Sequence, residues 1–355
     1  MNVIFVEPCF PDNQREFVRA LHAAGANVIG IGERPAEYLG EQMKSWLAEY
    51  VQVRSVVHEP SLLEAVKAIQ RKVWVDRLEV TVEAHISAAA AVREATGIPG
   101  TSTETAFLCR DKPAMKEVLR KAGIACAQST RARTPADARA FAAAVGYPLI
   151  IKPPAGAGAS GTFRVDDDRA LEQVIVECGL ADGHAVAVEE FIEGHEGFID
   201  TLTIGGKVTH EFITHYYPNV LEAMRKRWIS PQMVATNRIE EPGYREVREM
   251  TRKVISVLEI GTSATHMEWF FGPKGLKFSE IGCRPPGVCH WDVYCAANEF
   301  DLYYEWACAI VHGRPHTPPS RRYAAGMIAL RPDRDGRISG YSGLERINQR
   351  YGDCI

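Results

Sequence analysis

One stretch of this chain leaves few folds open to it. Thr265-His266-Met267-Glu268-Trp269-Phe270-Phe271, then Gly272-Pro273-Lys274-Gly275, then Leu276-Lys277-Phe278-Ser279-Glu280-Ile281, reads as two antiparallel strands joined by a tight turn. A three-residue loop, Pro273 to Gly275, sets Gly272 against Leu276, and counting back along both strands sets Glu268 opposite Glu280. Trp269, Phe270 and Phe271 imply that these strands are substantially buried. Like charges directly opposite each other destabilise a sheet unless something neutralises them. A divalent cation does so, and Mg²⁺ favours one or two carboxylates completed by phosphate oxygens. The competing reading is a solvent-exposed acidic pair in another register.

At 355 residues the chain is too long for one small core and suits two or three packed subdomains. Its first hundred residues alternate strand-like runs with helical periodicity. Val3 to Val6 reads as a strand, Asn13 to Ala24 as a helix stopped by Gly25, and Asn27 to Ile31 as the next strand. Val51 to Val53, a helix from Ser61 to Gln70, and Val73 to Val75 continue the pattern. Such alternation argues for a parallel sheet flanked by helices. The first strand-to-helix turn, Glu7-Pro8-Cys9-Phe10-Pro11-Asp12, carries no glycine fingerprint, so this is a Rossmann-like scaffold without a dinucleotide site. Gly97-Ile98-Pro99-Gly100-Thr101-Ser102 marks a boundary. Helices follow at Lys112 to Lys121 and Pro135 to Val145, then a strand ending in Ile150-Ile151-Lys152 and closed by prolines. Runs near 186–192, 198–204, 207–214, 264–271 and 276–281 suggest a mixed or antiparallel sheet, with helices at 243–258 and 296–311.

Composition sets the outer limits. Hydrophobic residues make up 46% and charged residues 24%, ordinary for a soluble globular chain. A formal net charge of −4 gives no general attraction for nucleic acid or an anionic membrane. Met1 to Pro8 lacks the basic start and long apolar run of a signal peptide, and no window reaches the ~18 apolar residues of a membrane span. The nine cysteines form no Cys-x-x-Cys pair, which favours free thiols and a cytoplasmic setting. Cys283, Cys289 and Cys295, with His290 beside the middle one, are spaced more widely than the usual paired zinc ligands, and buried cysteine is the simpler reading.

Gly156-Ala157-Gly158-Ala159-Ser160-Gly161 matches G-x-G-x-x-G, a weak pattern alone. The dinucleotide reading needs a helix opening inside it, whereas Thr162-Phe163-Arg164-Val165 looks extended. Strand, loop and strand also describe the phosphate flap of protein kinases, yet the chain has no His-Arg-Asp and no Asp-Phe-Gly, and Lys152 precedes the loop. A third reading keeps the flap in another fold. Small residues let backbone N–H groups approach phosphate oxygens, and the Ser160 hydroxyl adds a donor.

Over roughly residues 1 to 315 the pattern resembles the ATP-grasp superfamily, specifically its carboxylate–amine ligases. Arg110-Asp111-Lys112-Pro113-Ala114-Met115-Lys116 is similar to the family's Asp-Lys segment, and Pro148-Leu149-Ile150-Ile151-Lys152-Pro153 to the strand bearing its second phosphate-binding lysine. Ala187-Val188-Glu189-Glu190-Phe191-Ile192-Glu193-Gly194-His195-Glu196 resembles the adenosine hinge. The resemblance implies an α/β ATP-grasp fold: a Rossmann-like domain (1–105), a small α+β subdomain with the phosphate loop (106–185), a large α+β subdomain with the metal site (186–315), and a C-terminal extension (316–355). It implies that ATP contacts Lys112, Lys152, Gly158, Ser160, Gly161, Glu189 and the main chain near Glu190 and Ile192. Glu196 would accept from the ribose hydroxyls, and Glu268 and Glu280 would hold Mg²⁺.

Ile281-Gly282-Cys283-Arg284-Pro285-Pro286-Gly287 resembles the family's Glu-x-Asn-x-Arg ending, with Gly282 in the place of the asparagine. Arg284 is the candidate for stabilising the transferring phosphoryl group, because its planar fork can hold two oxygens at once. The implied reaction activates a small-molecule carboxylate as an acyl phosphate for attack by an amine, and positioning carries most of such catalysis. Alternatives are formyl or carboxyl transfer and a non-catalytic ATP-binding module. His215-Tyr216-Tyr217 and Arg225-Lys226-Arg227-Trp228 are candidates for substrate selection, and Glu83 for facing the cleft. No nucleic-acid or membrane partner is implied, and a homodimer is compatible with the resemblance.

Overall fold

The computed structural model describes residues 1–155, 161–332 and 334–354. The N-terminal sheet consists of β1 (Asn2–Val6), β2 (Asn27–Gly32), β3 (Glu49–Gln52) and β4 (Arg77–Glu79). It is parallel throughout, in the order β3-β2-β1-β4. Val3, Ile4, Phe5 and Val6 are all fully buried, as a central strand covered by helices on both faces requires. The fourth strand lies later than Val73 to Val75. Trp74 is 75% exposed in the connection, and the buried Leu78 marks where the chain enters the sheet.

A second, antiparallel sheet is built from β5 (Ser129–Ala132), β6 (Leu149–Lys152), β7 (Phe163–Val165) and β8 (Val186–Glu190), in the order β5-β8-β6-β7. Helices Pro135–Val145 and Asp168–Glu177 contribute Ala138, Ala142, Leu171 and Ile175 to a core shared with Leu149, Ile151 and Val188. A capping box between Thr134 and Asp137 starts the first of these helices by satisfying backbone N–H groups left open at its end.

The third sheet comprises β9 (His195–Ile204), β10 (Lys207–Tyr217), β11 (Gln232–Thr236), β12 (Ser263–Gly272), β13 (Gly275–Gly282) and β14 (Ala325–Ile328). Its order is β13-β12-β9-β10-β11-β14, antiparallel throughout. One face buries Ile199, Ile213, Met267, Trp269 and Ile281 with Met115, Leu119, Val247 and Val254 of helices Lys112–Lys121 and Arg245–Val257. The other face carries Phe198, Leu202 and Phe212 against helices His290–Asn298 and Leu302–His312. The single helix expected at 296–311 is thus two. Glu299 takes a φ of 54°, and the Asp301 carboxylate caps the second helix by accepting from the Tyr304 N–H (3.1 Å). Strands β11 and β14 are short and lack a clear alternating pattern, so neither was anticipated.

Phe17, on helix Gln14–Ala23, packs at ring-centroid distances of 5.1, 4.9 and 5.1 Å from Trp291, Tyr303 and Trp306. This aromatic joint fuses the N-terminal sheet to the third sheet. Trp306→Ala should cost about 3–5 kcal/mol by opening a cavity there, a loss that chemical denaturation would read directly. No helix is long and apolar enough to cross a membrane among the described residues.

Candidate active site

The acidic hairpin is β12–β13, and it reaches its register by a route the sequence hides. The turn is a two-residue loop, Pro273-Lys274, with Gly272 opposite Gly275, rather than the three-residue loop expected. Both glycines are required: Gly275 has a φ of +74°, and a Cβ on Gly272 would lie 2.0 Å from the Glu193 carbonyl oxygen. The tighter turn alone would put Ser279 opposite Glu268. A β-bulge at Ser279 restores the missing residue, so Glu268 does pair with Glu280. The bulge also turns Glu280 away from the face that buries Phe278.

Helix Lys112–Lys121 begins where Asp111, its N-cap, accepts from the Ala114 N–H (3.0 Å) and pairs with Arg131. The Phe278 N–H donates to the Ala125 carbonyl (2.8 Å), tying the far end of this segment to β13. Lys112 Nζ consequently stands 3.2 Å from Glu280 Oε2, and Lys152 Nζ, at the end of β6, 3.9 Å from the same oxygen. Lys152 Nζ is also 3.0 Å from Glu189 Oε2, which takes a 2.6 Å hydrogen bond from Lys116 Nζ. Burial opposes ionisation of Glu189, but Lys116 and Lys152 outweigh it and hold the carboxyl at about 2. Burial, the largest influence on Lys116, pulls its ammonium down to about 8 against the attraction of Glu189. The motif that singles out Lys112 assigns no role to Lys116. Its spacing of one helical turn from Lys112 was the available signal.

The same face of the third sheet carries a second charged group. His266 Nδ1 is 2.7 Å from Asp200 Oδ1, its Nε2 3.7 Å from Glu268 Oε1, and the Tyr294 hydroxyl donates to Asp200 Oδ2 (2.5 Å). Burial works against a charged imidazole, yet Asp200 and Glu268 keep it at about 9. The imidazolium in turn holds Glu268 below the usual carboxylate range, despite burial. Asp200 and Tyr294 come from β9 and a distant helix, and no local motif points to them. Glu196 also lies here: burial and then Glu268 lift it to about 8, and its Oε2 accepts from the Val220 N–H (2.6 Å).

In the hinge, the Glu190 N–H donates to the Gln128 carbonyl (2.9 Å) and its carboxylate pairs with Lys274. Ile192 is half-buried between β8 and β9. Gly161 takes a φ of +65° beside Pro153, while Gly158 and Ser160 lie outside the described residues. Arg284 Nε donates to Glu83 Oε2 (2.9 Å) and its Nη1 to the Pro285 carbonyl (2.8 Å). Of the aromatic run, Tyr216 faces Phe198, whereas His215 bonds His195 and the Tyr244 hydroxyl, both at 2.8 Å, on the opposite face. Helix Val220–Arg225 ends before Trp228, which is 76% exposed.

Cys283 is buried, Cys295 half-buried and Cys289 exposed. Among the described residues no group of three or more His, Cys, Asp or Glu side chains is arranged to hold a metal. Two facing carboxylates fit Mg²⁺, which takes the rest of its octahedral shell from phosphate oxygens and water. They do not fit a closed tetrahedral zinc site.

The ATP-grasp domain family matches residues 117–300. An L-arginine-specific L-amino acid ligase of Bacillus subtilis is 28% identical over 218 residues, covering 60% of this chain and 52% of that protein. The chain spans about half the length of the curated relatives it matches. The L-amino acid ligase structure from Bacillus licheniformis superposes with a TM-score of 0.76 at 19% identity, covering 99% of this chain and 85% of that one. The N5-carboxyaminoimidazole synthetase of Staphylococcus aureus, complexed with ADP, gives 0.70 at 15% identity, covering 93% and 82%. At these identities the two structures support the fold.

Proposed function

Because the chain belongs to the ATP-grasp family, we propose that it is an ATP- and Mg²⁺-dependent ligase that activates a small-molecule carboxylate for attack by an amine. The observation that carries this reading is the convergence of Lys112 and Lys152 on Glu280, itself opposite Glu268. Two cations and two carboxylates gathered on one surface of a net-acidic chain suit a metal-bound triphosphate. Its adenosine would lie against the Glu189–Glu196 hinge. The division at about residues 105, 185 and 315 belongs to the same proposal.

A substrate carboxylate oxygen attacks the γ-phosphorus and ADP leaves, giving an acyl phosphate. The amine nitrogen then attacks the acyl carbon, loses a proton and expels phosphate. Bound Mg²⁺ would neutralise phosphate charge between Glu268 and Glu280. Lys112 and Lys152 orient the phosphates, Lys116 and Glu189 hold Lys152 in place, and Arg284 meets the charge that develops on the transferring group. Similarity to a relative named an L-amino acid ligase favours α-amino acids as substrates.

The test is a pairwise screen of amino acids and other carboxylates with Mg·ATP, reading ADP and phosphate. Release that needs both a carboxylate and an amine is expected. Tight ATP binding with no release under any pair would leave a nucleotide-binding module instead.

A further inference from the structure

We propose that Glu83 is a positioning residue that fixes the plane of the Arg284 guanidinium, and that Gly282 leaves the room this requires. The role rests on the reading of Arg284 given above. Glu83 opens the short helical turn Glu83–His85 just beyond β4, so it reaches the site from the N-terminal sheet, 201 positions from its partner in sequence. A planar guanidinium is oriented by two contacts on different nitrogens. Here those contacts are Nε to Glu83 Oε2 (2.9 Å) and Nη1 to the Pro285 carbonyl (2.8 Å). Among the described residues Nη2 donates to no protein acceptor, so that nitrogen is left to meet an incoming oxyanion.

Glu83 is itself held. Its Oε1 lies 3.4 Å from Arg110 Nε, and Arg110 Nη1 donates to the Ser87 hydroxyl (2.9 Å). Arg110 directly precedes Asp111 and Lys112, so one carboxylate ties the start of the phosphate-lysine helix to the arginine beyond β13. The Glu83 and Arg284 side chains are only 20% and 15% exposed, which spares the pair much of the screening that weakens surface ion pairs. Gly282 completes the arrangement. A Cβ there would sit 3.3 Å from Glu83 Oε2 and 3.4 Å from Arg284 Cγ, and a longer side chain would press the carboxylate off the guanidinium.

A plain interdomain salt bridge would look the same at rest but behave differently when cut. As a mere brace, Glu83 would alter stability and active fraction while leaving kcat per ATP-binding site, counted by calorimetric stoichiometry, unchanged. As a positioning residue, its loss lowers kcat and spares nucleotide binding, because a displacement of about 1 Å can cost on the order of a hundredfold in rate.

The experiment is a double-mutant cycle of Glu83→Gln and Arg284→Ala. Mg·ATP binding is measured by titration calorimetry, and ADP release with a carboxylate–amine pair that the wild type accepts. Glu83→Gln should lower kcat about 30-fold and keep the Mg·ATP Kd within about threefold. Arg284→Ala should lower kcat up to about a thousandfold, and the double variant should fall within about threefold of Arg284→Ala alone. Should Glu83→Gln lose its fold, Glu83→Asp keeps the charge, withdraws the carboxylate by one methylene, and carries the same expectation. Unchanged kcat in Glu83→Gln, or losses that simply multiply, would overturn the positioning role alone. A wild type that binds no Mg·ATP, or turns over no pair, sinks the ligase reading and this role with it.

Discussion

Glu268→Gln lowers ATP turnover by about a thousandfold or more while leaving the fold as stable as before, to within about 1 kcal/mol. The two halves of that outcome have separate causes. In the ligand-free protein Glu268 is repelled by Glu280 and Glu196 and attracted by His266, Lys152 and Lys112, so a neutral amide gives up that attraction but also removes the repulsion and the cost of burying the charge. With Mg·ATP bound, the same change removes half of the carboxylate charge available to the metal. A residue kept for structure would show the reverse, a destabilised protein with turnover in proportion to what remains folded. Steady-state ADP release across a magnesium titration, paired with a denaturant melt of the metal-free protein, separates the two. Wild-type turnover in Glu268→Gln would exclude the hairpin as the metal site.

Lys152→Met weakens Mg·ATP binding by about a hundredfold, close to 2.7 kcal/mol, while Lys116→Met has a smaller effect. Both ammonium groups bond the same oxygen of Glu189, at 3.0 and 2.6 Å. Only Lys152 also lies beside Glu280, at 3.9 Å. On the proposed reading Lys116 would act through the carboxylate between them, so its removal would loosen Lys152 without removing a phosphate contact. Glu189 keeps one buried cation in either variant, which limits the stability loss from breaking a buried pair. Calorimetric titration with Mg·ATP ranks the two. Equal losses would mean that Lys116 reaches the nucleotide itself.

Much of this arrangement was legible in the sequence because it depends on local patterns. The parallel N-terminal sheet, the capped helix bearing Lys112, and the strand ending at Lys152 follow from periodicity and punctuation within a few residues. The facing of Glu268 and Glu280 was also anticipated, but through two offsetting errors: the turn is one residue shorter than expected, and the bulge at Ser279 supplies one more. A bulge leaves no mark in alternation until the pairing is known. Asp200 and Tyr294 were not assigned roles because each meets its partner only across the assembled fold, at separations of 66 and 94 residues; Glu83 was expected to face the cleft, but its partner Arg284, 201 residues away, was not. Val73 to Val75 misled for the opposite reason. Its local β-propensity is high, but the sheet takes up the chain only at Arg77.

The joint around Phe17 constrains how this polypeptide can be made. A ribosome adds roughly 5–20 residues per second, so Phe17 must wait on the order of 15–60 s before Trp306, whose ring it needs at 5.1 Å, has been synthesised. Until then the nascent amino-terminal half carries an uncovered aromatic face. The N-terminal sheet can form as its own strands emerge, but its joint to the third sheet closes only once Trp291, Tyr303 and Trp306 have been made.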